Sequence, residues 1–206
     1  MATDKAKIFN LALARIGDDL ITNPDGVARG AEVCRVFYDI ILDELLRSYP
    51  WNFATKRAAL ALAAAAPIGY SYAYTLPDDC LAVRHLLDED GNIKDGPDDA
   101  DSYDWEVESG ELLTDLEDAC IAYTRDVPDL NDFDAVFVSV LAARLAAEAV
   151  VSIKPRDGKK QQQLWAMYEG ILAQAKYNDA KECKKNPAPK NAYVDARKTV
   201  VIEDDS

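Results

Sequence analysis

The chain has 206 residues, enough for one large domain or two small ones, and 49% of them are hydrophobic. Alanine accounts for 32 of these hydrophobic residues, so a core must rely on close contacts between small side chains. With 23 basic and 37 acidic residues, the net charge of −14 argues against an outer surface that binds nucleic-acid phosphates.

The first 50 residues predict two helices. Thr3 is a candidate N-cap for the first helix, and Gly17 is expected to end it. Asp25, in a turn-rich stretch, is expected to cap the second helix, which Pro50 stops. This second helix carries two neighbouring apolar stripes, and such a wide apolar arc predicts that it is covered on more than one side. The stripes are Ala31, Cys34, Tyr38, Ile41 and Leu45, and beside them Val33, Phe37 and Ile40.

After Trp51 the hydrophobic period changes to two, which predicts strands. Ser109-Gly110 is expected to form the turn of a hairpin. The alanine-rich stretch 58–66 favours a helix by propensity, but its strand-like neighbours favour an extended start and a loop before Pro67. The alternating segments are residues 70–75, 81–85, 105–108 and 121–125.

The helical period returns at Asp132 and continues to Leu145, the clearest helix in the chain. A turn at residues 154–158 leads into a last helix that ends near Cys183. The other faces of the Asp132–Leu145 helix carry small residues, which would let another helix or a neighbouring subunit approach closely. They are Ser139, Ala142, Ala143, Ala146 and Ala147.

Together these elements predict an α+β fold. Two helical hairpins are expected to form a four-helix unit, with a mostly antiparallel β-sheet insert between them. The predicted divisions are a helical domain of residues 1–50 and 128–185, a β-rich insert of residues 51–127, and a C-terminal tail of residues 186–206.

The cysteines and the apolar runs indicate the compartment. Four widely spaced cysteines and one histidine predict buried or half-buried thiols rather than a zinc site. No apolar run approaches the roughly 18–20 residues that span a bilayer. Residues 1–5 lack the form of a signal peptide. We therefore expect a soluble protein made in a cytosol, with no membrane span.

Residue patterns for catalysis are sparse. The chain has no phosphate-binding glycine loop, nucleophile elbow or His-Glu zinc motif. Cys80 and His85 could form a nucleophilic dyad, but a half-buried strand histidine is the simpler interpretation. Glu106 and Glu108 would point the same way from a strand, as a glycosidase pair could, but an acidic chain offers many accidental pairs. We predict a non-enzymatic protein without a cofactor or metal.

Residues 88–104 form a strongly acidic stretch with Lys94 as the one opposing charge. Asp88, Asp90 and Asn92 have the spacing of the first half of an EF-hand loop, but Gly91 comes too early and no glutamate stands at the twelfth position. A mobile, solvated loop is the plain interpretation. A third interpretation is that these acids line a surface along which DNA slides without binding, because negative side chains repel phosphate. The candidate residues are Asp95, Asp98, Asp99 and Asp101.

The string Tyr49-Pro50-Trp51-Asn52-Phe53-Ala54, followed by Ala58-Ala59-Leu60, closely resembles a signature of the tail tubular protein A family. These are head-to-tail connectors of short-tailed bacteriophages. The resemblance covers about residues 10–180, and the acidic stretch 88–104 and the tail 186–206 match no family pattern. Further agreement lies in residues 14–17, 43–47, 72–81, 132–134, 137 and 141–146.

The resemblance implies a structural virion protein. Such proteins form a ring, typically of twelve copies, that joins the portal protein to the tail nozzle protein and encloses the channel for DNA exit. DNA would pass through without specific binding. The chain would be assembled in the host cytoplasm and would reside in the virion neck or tail. Helical hairpins and a β domain are expected of the family.

A closed ring requires head-to-tail contacts between copies. Trp51 and Phe53 are expected to anchor the helical unit to the β insert, with a subunit interface as the alternative. The tail is either a disordered end or an arm that adds a strand to the portal or to a neighbour. The candidate subunit or portal interface residues are Trp51, Phe53, Ser139, Ala142, Ala143, Ala146, Tyr193, Val200, Val201 and Ile202.

Two other functions remain open from the sequence. One is a cell-wall hydrolase associated with the tail, supported only by the surplus of carboxylates. The other is a neck adaptor of a long-tailed phage, which shares the helical adaptor role.

Overall fold

The computed structural model describes residues 4–63, 68–96 and 101–182. It shows a mixed α+β fold with four helices and antiparallel sheets in these ranges. The helices are α1 (Lys5–Ile16), α2 (Arg29–Ser48), α3 (Ala135–Ile153) and α4 (Gly158–Glu182). The strands are β1 (Thr55–Ala59), β2 (Ala61–Leu62), β3 (Tyr72–Thr75), β4 (Cys80–Leu87), β5 (Trp105–Glu108), β6 (Glu111–Thr114) and β7 (Cys120–Arg125).

Helix α1 begins and ends at residues with clear capping roles. The Asp4 side chain accepts a hydrogen bond from the Lys7 backbone N–H at 2.7 Å, so Asp4 is the N-cap. The predicted cap, Thr3, lies outside the described residues. Gly17 ends the helix as predicted, because its φ of 80° is a left-handed conformation that glycine adopts without strain. The Lys154 ammonium also donates to the Gly17 carbonyl.

Helix α2 starts later than the sequence predicts. Its N-cap is Ala28, with no side-chain cap, so the prediction of Asp25 is wrong. Its end agrees with the prediction, since Tyr49 is extended, as residues before a proline usually are. Arg84 of β4 donates hydrogen bonds to the Leu46 and Arg47 carbonyls at this end, at 3.2 and 2.8 Å. These bonds satisfy carbonyls that the helix itself leaves open.

Helix α3 is the central helix. It packs against α1, α2 and α4, whereas α1 and α2 contact each other much less. The helix is capped by Asp134, two residues beyond the predicted start, because residues 130–132 form a short 3₁₀ turn. The Arg144 guanidinium lies 2.9 Å from the Glu148 carboxylate and 4.7 Å from the Trp165 ring centroid, and so joins α3 to α4.

The β region forms two antiparallel sheets, in the strand orders β1-β7-β4 and β2-β3-β6-β5. The chain changes sheet at Leu60, between β1 and β2, and the Leu60 N–H donates to the Ala119 carbonyl at 3.0 Å. Ser109 and Gly110, both with positive φ, form the predicted two-residue turn of the β5–β6 hairpin. A small core lies between the sheets and includes Tyr74, Leu112 and Tyr123.

The main core is separate and lies among the helices. Phe9 of α1 and Tyr38 of α2 meet edge to face, with ring centroids 5.5 Å apart. Alanines of α3 fill the centre. Because their side chains are small, α1, α2 and α4 can all approach the same helix, as the high alanine content predicts.

Candidate functional site

An open groove runs along the surface between α3 and α4. It has a volume of about 490 Å³, and its walls are mostly apolar. Gly170 stands in the interior of α4, where glycine destabilises a helix by about 1 kcal/mol relative to alanine. A Cβ at Gly170 would meet no described atom within 4 Å. The groove is lined by Ala135, Val136, Ser139, Gly170, Ile171, Gln174 and Asn178.

At one end the groove meets a second cavity of about 270 Å³, and Val136 and Asn178 line both. Trp51 and Phe137 form an apolar wall of this cavity. Three carboxylates, those of Asp134, Asp179 and Glu182, also line it. We call this cavity the acidic mouth of the groove.

The electrostatics of the acidic mouth favour a cationic partner. Burial raises the pKa of the Asp179 carboxyl, and the neighbouring carboxylates of Glu182 and Asp134 raise it further. The Asn52 N–H donates to this carboxylate at 3.0 Å, which partly offsets the effect. Among the described residues, none of the three carboxylates forms an ion pair with a lysine or arginine. A positive group placed here would relieve their mutual repulsion.

Trp51 is an internal anchor. Its side chain is 2% exposed, and its indole N–H donates to the Leu45 carbonyl at 2.9 Å. The ring meets Tyr49 and Phe137 at centroid distances of 4.9 and 5.2 Å. Phe53, half-buried, lies 4.9 Å from the Phe137 ring. Both aromatic residues therefore join the α2–β1 connection to α3, and the burial of Trp51 leaves no surface for a second subunit.

The alanines of α3 are also internal, and their place corrects the expectation of a subunit interface there. Ala142, Ala143 and Ala146 are fully buried within the same chain. Ser139 is half-buried, and its hydroxyl and carbonyl both accept from Arg15 at 2.8 Å. Small size at these positions serves the packing of the four helices. Ser139 alone of the four reaches the surface groove.

Exposed apolar residues lie elsewhere, on α2. Val36 and Ile40 are 68% and 64% exposed, one helical turn apart. Val33 and Phe37 of the predicted second stripe are partly buried against the helical core. The described residues therefore cover the wide apolar arc of α2 only in part, and they leave Val36 and Ile40 exposed as an apolar stripe.

Asp95 is held in place rather than solvated. Its side chain is 12% exposed. Its carboxylate accepts from the Leu86 N–H and the Trp105 indole N–H, each at 3.1 Å, and lies 3.2 Å from His85 Nδ1. Asp95 thus fastens the middle of the acidic stretch to β4 and β5, a role that differs from a mobile or channel-lining acid. Asp101 is exposed.

Several candidate residues lie outside the described residues, and the structure places none of them. They are Asp98, Asp99, Tyr193, Val200, Val201 and Ile202.

The structure does not bring together the Cys80 and His85 candidates that the sequence offered for catalysis. Cys80 is the first residue of β4, and His85 lies five residues further along the strand. At the rise of an extended strand, this spacing separates them by roughly 16 Å. Burial raises the pKa of the Cys80 thiol, which disfavours the reactive thiolate. Glu106 and Glu108 are exposed on β5. In the described parts of the chain, no group of three or more His, Cys, Asp or Glu side chains could hold a metal ion.

Within the described ranges, α3 alone has the length and apolar composition of a membrane-spanning helix, with a mean hydropathy of 2.0. Much of this helix is buried against α1, α2 and α4. A core helix has the same composition, so the position of α3 accounts for it without a membrane.

The groove and its acidic mouth were not identified from the sequence. The available signal was Gly170, a glycine inside a strong helical pattern with no role at either helix end. Asp134 and Asp179 lie 45 positions apart, and only the packing of α3 on α4 brings them together. Comparison with known proteins assigns no relative, since no family model and no curated protein matches the chain.

Proposed function

We propose that this protein is a structural adaptor of a short-tailed bacteriophage, a ring of about twelve copies between the portal and the tail nozzle. It acts through binding surfaces rather than catalysis, and DNA leaves the head through the ring. The observation that carries this proposal is the string Tyr49–Ala54, which resembles the connector family. The string also has a definite structural task here.

That task is to hold the helices and the β region together. The Tyr49 hydroxyl donates to the Lys176 carbonyl of α4 at 3.3 Å, and the Asn52 amide donates to the Asp179 carbonyl at 2.7 Å. Trp51 fills the space between α2 and α3. A segment that contacts three helices and leads directly into β1 fixes the junction between the helices and the β insert.

The proposal includes the four helices as one unit. Helices α3 and α4 form a hairpin joined by a short turn, and α1 and α2 add to α3 from other sides. The β insert follows α2 and precedes α3 in the chain. In this arrangement one helical unit would make the ring, and the β insert would be available for a different partner.

Ring contacts must overcome repulsion between acidic copies. Twelve copies would carry about 168 net negative charges, so closure requires apolar burial, local ion pairs or docking on the portal. The apolar stripe of Val36 and Ile40 replaces the buried α3 alanines as the proposed ring contact. Leu11 and Leu20, 38% and 63% exposed beside a cavity of about 510 Å³ on α1, extend the available apolar surface.

The acidic surface agrees with a channel that does not hold DNA. Affinity for nucleic-acid phosphates comes mainly from basic side chains, whereas this chain has 37 acidic and 23 basic residues. Of the acids predicted to line the channel, Asp98 and Asp99 lie outside the described residues, and Asp95 is enclosed by β4 and β5. The DNA-channel part of the proposal therefore rests on the net charge of the chain rather than on any one acidic side chain.

Light scattering on the purified chain, alone and mixed with its portal protein, tests the adaptor function. We expect either a discrete ring or a monomer that joins the portal ring in fixed stoichiometry. The double variant Val36→Asp, Ile40→Asp should weaken assembly at least tenfold, since each change places a charge in an apolar contact. Val27→Asp is the matched control, because Val27 is 91% exposed and lies outside the stripe.

A monomer that ignores the portal would overturn the adaptor function. A zymogram on cell walls would then decide for a hydrolase, if clearing survived repurification and disappeared in Glu106→Gln or Glu108→Gln. Negative-stain images of the parent particle separate the two adaptor types, because a long tail would indicate a neck adaptor.

A further inference from the structure

The groove between α3 and α4 lacks an occupant among the described residues. Gly170 leaves open space at its centre, and Ile171 and Val136 remain only partly buried beside it. A glycine inside a helix is unfavourable unless something approaches closely. The mouth of the same groove concentrates negative charge on Asp134, Asp179 and Glu182. The site therefore suits an extended segment with apolar side chains and a basic flank.

The chain itself contains such a segment. Residues 184–202 include five basic side chains and one acidic side chain, whereas the whole chain carries −14. The apolar side chains of the segment follow its first lysines. The basic residues are Lys184, Lys185, Lys190, Arg197 and Lys198, and the larger apolar residues are Tyr193, Val194, Val200, Val201 and Ile202.

We propose that the C-terminal segment 184–202 folds back onto the α3–α4 groove of its own chain. Its lysines would lie at the carboxylates of the acidic mouth, and its apolar residues would lie over Gly170 and Ile171. This proposal goes beyond the adaptor function and does not depend on it.

Position and length support this occupant. Helix α4 ends at Glu182, which itself lines the acidic mouth, so the segment starts beside the groove. Pro187 and Pro189 cannot continue the helix, which permits a change of direction. The distance back from Glu182 to Gly170 is about 18 Å at the helical rise per residue, and about six extended residues span it. A tethered segment also has an effective concentration in the millimolar range.

Amide hydrogen exchange on the full chain tests this proposal, with a synthetic peptide of residues 183–206 as the reference. We expect amides in residues 190–202 to exchange at least about tenfold more slowly in the protein than in the peptide. Gly170→Leu fills the groove and should return the exchange to within about twofold of the peptide rate. Ala173→Leu is the matched control, because Ala173 is exposed on α4 but does not line the groove. Peptide-like exchange in the unmodified protein, or protection unchanged in Gly170→Leu, would overturn the proposal.

Zero-length carbodiimide cross-linking identifies the partner within the groove. Lys190 should form an amide cross-link with Asp134 or Asp179. The Asp134→Asn variant should lose the cross-linked product that contains residue 134. The reaction is run on an equal mixture of ¹⁴N and ¹⁵N protein. Cross-links within one isotope support folding back in the same chain. Mixed-isotope cross-links would overturn the proposal and assign the groove to the segment of a second copy.

Discussion

Trp51→Ala separates an internal anchor from a subunit contact. Trp51 is 2% exposed, and its ring packs against Tyr49, Phe53 and Phe137. Truncation of a buried tryptophan to alanine destabilises a protein by about 3–5 kcal/mol. The indole hydrogen bond to the Leu45 carbonyl adds about 1 kcal/mol at most, because that carbonyl also accepts from another donor in its own helix. We expect a loss of about 4 kcal/mol in the free energy of unfolding, against a total of about 5–15 kcal/mol.

Urea unfolding followed by far-UV circular dichroism measures this loss at a concentration where the chain is monomeric. Trp51→Phe retains an aromatic ring and should lose about 1.5 kcal/mol. Val27→Ala, at an exposed position, should change the free energy by less than about 0.5 kcal/mol. The denaturant slope should stay unchanged. If Trp51→Ala lost less than about 1 kcal/mol while it abolished assembly, the anchor role would be wrong and Trp51 would belong to a subunit interface.

Two further predictions concern stability. Gly17→Ala should lower the free energy of unfolding by about 1 kcal/mol, or Tm by about 2–4 °C, since alanine is strained at a φ of 80°. Gly158→Ala, at a glycine without positive φ, is the control, and an equal loss there would contradict this reason. Burial alone would raise the pKa of Asp79, but hydrogen bonds from Lys56 and Tyr123 outweigh it and hold that pKa below its usual value. Asp79 therefore stabilises the fold above its unfolded pKa, and the advantage of the native chain over Asp79→Asn should shrink as the pH falls from about 5 to about 3. A gap that stays constant over that range in urea unfolding would refute this coupling.

Local patterns in the sequence determined the elements that depend on neighbouring residues. Gly17 ends α1 and Ser109-Gly110 turns the β5–β6 hairpin, because positive φ restricts the choice of residue at those positions. The apolar period that starts near residue 133 predicts α3, since one helical face must be buried. These features require only a few adjacent residues, and they agree with the structure.

Contacts between distant residues decided the rest. From the sequence, Ala142 and Ala143 could contact either another helix or another subunit. Three helices pack around α3, and this packing buries both residues in the core. Asp95 belongs to an acidic stretch in the sequence, yet donors from β4 and β5 enclose it. The acidic mouth brings Asp134, at the start of α3, close to Asp179 of α4. A side chain's type and its position in a periodic pattern determine which face it occupies, but what covers that face depends on elements far away in the chain.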